Sequence, residues 1–330
     1  MRAFAAALLV FLAPAAWAET PDLSTIVSDH ILPRYQTLAE TSAALAEAAQ
    51  GKCDTNTPAL KQAYHSAFDA WISVSHLRFG PSEVQERAFA LAFWPDPRGS
   101  TPKSLAGLVR NLDDAVHDPQ AFTTVSVAAR GFYALEFLLF DTQFTQHAET
   151  TYICDLRRAV TRDIASNTAA ILADWQGGYA ALMAQPGNDI YRTPSEAAQQ
   201  LFTAALTGLE FTAQQRLARP MGSFDRPRPN RAEARRSERS LRHVVLSLRA
   251  TQDLALRLAP DTDAVTRAFD RAITRAETLD DPVFAGVATS QGRLRVEALQ
   301  QSVDGIRTLL TQEVGPSLGI AAGFNALDGD

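Results

Sequence analysis

One carboxylate stands in the most apolar stretch of the chain. Glu136 is flanked by Phe132, Leu135, Phe137, Leu138, Leu139 and Phe140 on a helical run with no solvent-facing side. An unpaired carboxylate in such a place is costly, so Glu136 must be paired, protonated or bound to something. Two uses satisfy that demand. Glu136 is either a cation ligand or general acid/base with a raised pKa, or a structural carboxylate paired with an arginine such as Arg78. Tyr133, three residues earlier, shares its helix face, so the hydroxyl reaches the same place. His76, at the end of a helix in His76-Leu77-Arg78-Phe79-Gly80-Pro81, is the best nitrogen donor, with Glu136 coming to it from a neighbouring helix. His65, Asp69 and His76 also form a stripe at i, i+4 and i+11. Two imidazoles and a carboxylate on one stripe suit a metal, and they equally make an ordinary polar helix face.

The elements that must position these residues are helical almost everywhere, and no alternating strand stands out. Leu60, Tyr64, Ala67, Trp71 and Val74 step by four and three, one buried stripe of a helix that Gly80-Pro81 stops. Thr20-Pro21, Thr57-Pro58, Thr101-Pro102 and Thr193-Pro194 each read as an N-cap followed by proline at the first helical position. Helices are expected near Ser82 to Phe93, from Thr123 to Phe140, and from about Tyr152 to Ala184. Gln185-Pro186-Gly187-Asn188 then marks a boundary. Beyond it, helices fit Pro194 to Leu217, Ala232 to Leu258, Asp263 to Leu279 and Pro282 to Glu313, with a proline-rich loop over Arg219 to Arg231. The expected class is all-α, with two four-helix-bundle-like domains over residues 19–188 and 189–330.

Residues 1–18 read as a secretory signal peptide. Arg2 precedes a short apolar run, and Ala16-Trp17-Ala18 forms the cleavage site. No later segment is long and apolar enough for a transmembrane helix. An exported chain, in the periplasm of a Gram-negative cell, meets oxidising conditions. Its two cysteines, Cys53 and Cys154, are therefore expected to form one disulfide. Chain-entropy models give a loop of about 100 residues roughly 4–5 kcal/mol of stabilisation. A two-cysteine metal site is the weaker alternative, for want of a Cys-x-x-Cys spacing.

Net charge is −6 but uneven: Arg216 to Arg249 holds ten arginines against Asp225, Glu233 and Glu238. That segment is either a docking face for an anionic periplasmic or membrane-associated partner, or a solvated helix in which Glu238 and Arg242 pair at i,i+4. Nucleic acid is not an expected partner of an exported acidic protein. There is no His-Glu-x-x-His, no phosphate-binding glycine loop and no nucleophile elbow. The tail Asn325 to Asp330 begins like a calcium loop but lacks its closing glutamate.

Several segments together resemble the imelysin-like family, whose members are also described as iron-regulated or insulin-cleaving proteins. They are His76 to Pro81, Phe93-Trp94-Pro95-Asp96, the Gly131 to Glu136 helix, the helix around Ser237 and Ser240, and the tail Gly323 to Asp330. The resemblance implies two helical bundles with a cleft between or within them. It also implies an exported protein tied to iron or another divalent metal, in some members a metallopeptidase. It places His76 and Arg78 beside Tyr133 and Glu136 in one polar pocket of the first bundle, with His76 and Glu136 as the metal ligands. The family motif Gly-x-His-x-x-Glu keeps Gly131 and Glu136 here, but Tyr133 replaces its histidine. That exchange removes a nitrogen ligand, and a tyrosinate, with an unperturbed pKa near 10, needs a strong Lewis acid. The expected function is accordingly a non-enzymatic periplasmic protein of iron or metal acquisition that binds a metal ion or a partner. The alternative is a metallopeptidase-like hydrolase with Glu136 as metal ligand or base.

Overall fold

The structure, a computed structural model, describes residues 21–51, 58–146 and 150–320. The expected signal peptide, the calcium-like tail and Cys53 lie outside the described residues, as do Thr20 and Thr57.

Nine longer helices carry the architecture: α1 (Leu32–Ala48), α2 (Pro58–Val74), α3 (Ser100–Asn111), α4 (Gly131–Phe140), α5 (Thr151–Asp174), α6 (Pro194–Phe211), α7 (Ser240–Leu258), α8 (Asp263–Glu277) and α9 (Ser290–Leu309). Among the described residues, the strand pairing is confined to an isolated bridge between Ser223 and Arg226. The all-α class is as the sequence implies. Helices α1, α2, α4 and α5 close one four-membered ring of neighbours, α6 to α9 close another, and α2 packs against α7 to join them. One continuous apolar cluster runs through both sets.

The helices arise where the sequence supplies caps and stripes. The α2 stripe of Leu60, Tyr64, Ala67, Trp71 and Val74 is buried as expected, and Phe68 beside it stacks on Phe132 of α4 at 4.8 Å between centroids. Helix α6 starts on Thr193, whose side chain accepts from the Glu196 amide, while Glu196 accepts from the Arg192 amide at 2.7 Å. Two hydrogen bonds thus satisfy one free amide of the first turn and that of the residue before the cap. At α3 the cap is not Thr101. Asp96 reaches forward instead and accepts from the Ser100 and Thr101 amides at 2.9 and 2.8 Å.

Four expected helices begin later than periodicity implied. The Ser82–Phe93 segment forms two 3₁₀ turns and only a short helix, Arg87–Leu91, because Gln85 and Glu86 take left-handed backbone. The Thr123–Phe140 helix starts at Gly131. The expected Ala232–Leu258 helix starts at Ser240, after left-handed turns at Ala234 and Glu238. The last long helix starts at Ser290, after another at Phe284. Left-handed non-glycine residues cost about 1–3 kcal/mol each, so tertiary contacts must outweigh local preference there. The turn at Glu238 also removes the expected Glu238–Arg242 pair, and Arg242 bonds to Asp69 of α2.

Gly131 opens α4 with φ +73°, and a Cβ there would lie 2.2 and 2.3 Å from the Leu91 and Ala90 carbonyl oxygens. Neither backbone oxygen has room to retreat without moving the short helix that carries it. Gly131→Ala is therefore expected to lose at least about 3 kcal/mol of stability, read as a lowered urea midpoint. A shift under a tenth of that would show that the backbone approach is not real.

Candidate functional site

Where the two helical sets meet, a cavity of about 390 Å³ opens between them. Trp71 of α2, Trp94 and Phe211 of α6 give it aromatic walls. His76, Arg78 and Tyr133 line it from the first half, and Gln200, Thr203, Thr207 and Arg216 from the second. The cavity thus lies between the halves, one of the two places the resemblance gave for a cleft, and not inside the first bundle where the four-residue pocket was expected. Among the described residues, no carboxylate lines it. A concave, mostly apolar space with a few fixed polar groups is the ordinary form of a small-molecule site.

His76 is set from behind. Its Nε2 lies 3.0 Å from Nε2 of His30, and His30 Nδ1 lies 2.7 Å from Asp253 on α7. Arg34 and Arg257 also reach Asp253. Burial opposes the Asp253 charge, but the His30 hydrogen bond and the two guanidiniums hold its carboxyl far below the usual range. Burial likewise pushes His30 down to about 4 and His76 well below the usual imidazole value, so both rings are neutral at pH 7. The tautomers follow by elimination. His30 donates Nδ1–H to the Asp253 carboxylate, its bare Nε2 accepts Nε2–H from His76, and His76 Nδ1 is left as a lone pair. That atom has no protein partner among the described residues and belongs to a residue lining the cavity. Gly208 makes the packing possible, since a Cβ there would come 2.7 Å from the His76 Cβ.

Tyr133 is committed elsewhere. Its hydroxyl donates in a short hydrogen bond to Glu233, and Arg216 holds the second Glu233 oxygen at 2.7 Å. His243 Nδ1 lies 3.1 Å from that oxygen without hydrogen-bond alignment, and its Nε2 accepts from Arg239. Burial would raise the Glu233 pKa. The Arg216 charge and His243 outweigh it and bring the group to about 2. Tyr133 moves the other way: burial and the Glu233 charge push its hydroxyl well above its ordinary value. It is a proton-bearing donor, the opposite of a tyrosinate ligand.

Glu136 is buried and accepts from the Ser237 amide at 2.9 Å and the Ser237 hydroxyl at 2.8 Å, both at Oε1. Burial raises its pKa against those hydrogen bonds. Arg78 is not its partner. That side chain is half exposed and forked onto Glu83 at 2.7 and 3.1 Å. Glu136 instead lines a second cavity of about 210 Å³, together with Tyr133, Trp94, Arg219 and Arg231. The four residues expected in one pocket therefore fall on two, with Trp94 stacked on Tyr133 as the shared wall. The His65 stripe also splits: His65 and Asp69 meet Arg239, and His76 turns to His30. Among the described residues, no three His, Cys, Asp or Glu side chains gather as a metal would require.

Sequence reading missed Glu233, Ser237 as a partner of Glu136, His30, Asp253 and the inward arginines. The arginine-rich run hid Glu233 as one minority charge. It is neither a solvated helix nor a simple basic face: Arg216 and Arg239 are buried, and Arg236 and Arg239 reach Asp141 and Asp69 of the first half. His30 was legible only as a histidine inside an apolar amphipathic segment.

A family model described as Peptidase_M75, Imelysin, matches residues 31–310. No curated protein matches the chain significantly in sequence. An imelysin-like protein of Psychrobacter arcticum 273-4 has a similar structure, with TM-score 0.72 and 19% identity over 92% of this chain and 96% of that one. A protein described as an iron-regulated protein A precursor of Parabacteroides distasonis ATCC 8503 gives TM-score 0.68 and 14% identity, over 89% and 95%. At these identities the likeness is one of fold.

The neutral histidines make stability depend on pH. Below pH 6.5 an unfolded chain protonates residues 30 and 243, whereas the folded chain resists until about 4 for each. Their contribution is fully present above 6.5 and is lost as pH falls, by about 3 kcal/mol per histidine at pH 4. Urea unfolding should thus show stability falling from pH 6.5 to 4.5, with the slope reduced by about one proton in His30→Gln. A flat profile over that window would contradict buried neutral imidazoles.

Proposed function

This chain belongs to the imelysin family, and we propose that it is an exported, periplasmic binding protein of iron or metal acquisition rather than a peptidase. The observation that carries this reading is the cavity between the halves, four of whose polar groups are fixed from behind. His76 is set by His30 and Asp253, Tyr133 and Arg216 by Glu233, and Arg78 by Glu83. Such pre-set groups lose little freedom on binding, which is what affinity requires. Three aromatic walls and the absence of a lining carboxylate favour a small organic ligand, free or carrying a metal, over a bare cation.

The donor set does not fit a resident metal ion. Tyr133 keeps its proton, Glu233 is neutralised by Arg216, and Glu136 and His76 face different cavities. The hydrolase reading loses support for the same reason. A general base must sit beside the substrate, and Glu136 lines the smaller cavity with Ser237 on its Oε1, away from the cleft between the halves. The iron regulation in the description of the Parabacteroides relative supports the wider role in metal acquisition. The arginine segment retains exposed Arg226 and Arg228, outside any ion pair among the described residues, for a periplasmic or membrane-associated partner.

Two measurements test this. Protein isolated from periplasm and dialysed should hold no stoichiometric metal. Native mass spectrometry should show a bound small molecule that Trp94→Ala loses. A stoichiometric metal that disappears in Glu136→Ala or His76→Ala would overturn the reading, as would peptide cleavage sensitive to a chelator. Export also implies the Cys53–Cys154 bond, and Cys154 lies buried in the first turn of α5. Denatured intact mass of periplasmic protein should rise by two hydrogens on reduction. Two free thiols before reduction would argue against an oxidising compartment.

A further inference from the structure

The second cavity carries a charge arrangement that the cleft does not explain. Arg219 and Arg231 both line it, and neither forms an ion pair or side-chain hydrogen bond among the described residues. Arg219 Nε is buried without any hydrogen-bond partner, and its guanidinium sits over Trp94 at 5.7 Å. An Nε–H that surrenders water without gaining a partner is destabilising by itself. Burial and the neighbouring Arg231 charge both push the Arg219 pKa down, and neither cation is ion-paired among the described residues.

The acids nearby form no ion pair with either arginine among the described residues. Asp96 spends both carboxylate oxygens on the first amides of α3, and Glu136 accepts from Ser237. Arg236, the third arginine of the lining, is bound to Asp141 and lies over Phe137 at 3.6 Å. The cavity therefore presents two guanidiniums without an ion-pair partner and the Asn230 side chain, beside two carboxylates, Asp96 and Glu136, that are held by neutral donors and not by these arginines. Guanidinium forks match the paired oxygens of phosphate and carboxylate. A space of about 210 Å³ admits a small ion of that kind.

We propose that this cavity is a binding site for a small, multiply charged oxyanion, held by Arg219 and Arg231 against the Trp94 face. The site is separate from the cleft cavity, sharing only the Trp94–Tyr133 wall, and does not depend on what the cleft binds.

The test is calorimetric titration of the mature protein with inorganic phosphate and, separately, citrate, at ionic strength fixed with chloride. Saturable one-to-one binding of either anion is expected, and which one binds assigns tetrahedral or carboxylate chemistry. Arg219→Ala and Arg231→Ala should each weaken it at least tenfold. Arg219→Lys, which keeps charge but loses the fork, should weaken it less. Arg228→Ala, exposed and outside the lining, should leave it unchanged. Arg231 is exposed, so its variant retains the test should Arg219→Ala fail to fold. Absence of saturable binding for both anions, or binding preserved in Arg231→Ala and Arg219→Lys alike, would overturn the proposal.

Discussion

The buried carboxylate of Glu233 is the point on which the join between the two helical sets depends. It takes the Tyr133 hydroxyl from α4 and the Arg216 guanidinium from the turn that extends α6, with His243 of α7 close by. In a low-dielectric interior these contacts are strong, but only because each charge is matched. Removing one member of a buried pair typically costs about 3–5 kcal/mol, since it strands the other. The left-handed turns at Ala234 and Glu238 are explained by the same constraint. They fold the loop so that Glu233 and Ser237 dock on Tyr133 and Glu136, and those contacts offset the backbone strain.

The arginine-rich segment gains a structural meaning from this. Arg236 reaches Asp141, and Arg239 and Arg242 reach Asp69, so the second half grips the first through guanidiniums. Phe68 sits within this grip, stacked on Phe132 and edge-on to Tyr133 and His243. A cleft walled by two halves tied this way is pre-formed, and its polar groups keep fixed tautomers and orientations. Tyr133 illustrates the consequence. In the position where the family motif has histidine, it supplies a fixed donor bonded to a carboxylate, while the motif glutamate accepts from Ser237.

What the sequence by itself determined was helical class, the buried α2 stripe, the Thr193 cap and the need of Glu136 for a partner. These follow from local periodicity, capping chemistry and the cost of burying a charge, all of which act within a few residues or on one side chain. The motif residues Gly131, Tyr133 and Glu136 were visible for the same reason. The partners of those residues were not. Glu233 lies 100 positions from Tyr133, and Asp253 lies 223 from His30. Nothing in spacing distinguishes Glu233 from the other acids of its segment. Only the tertiary structure decided that Arg78 serves Glu83, that His76 and Glu136 face different cavities, and that the expected helix before Ser240 is a strained loop. The physical reason is that burial and electrostatic pairing are settled between distant segments, where tertiary contacts outweigh local helix preference.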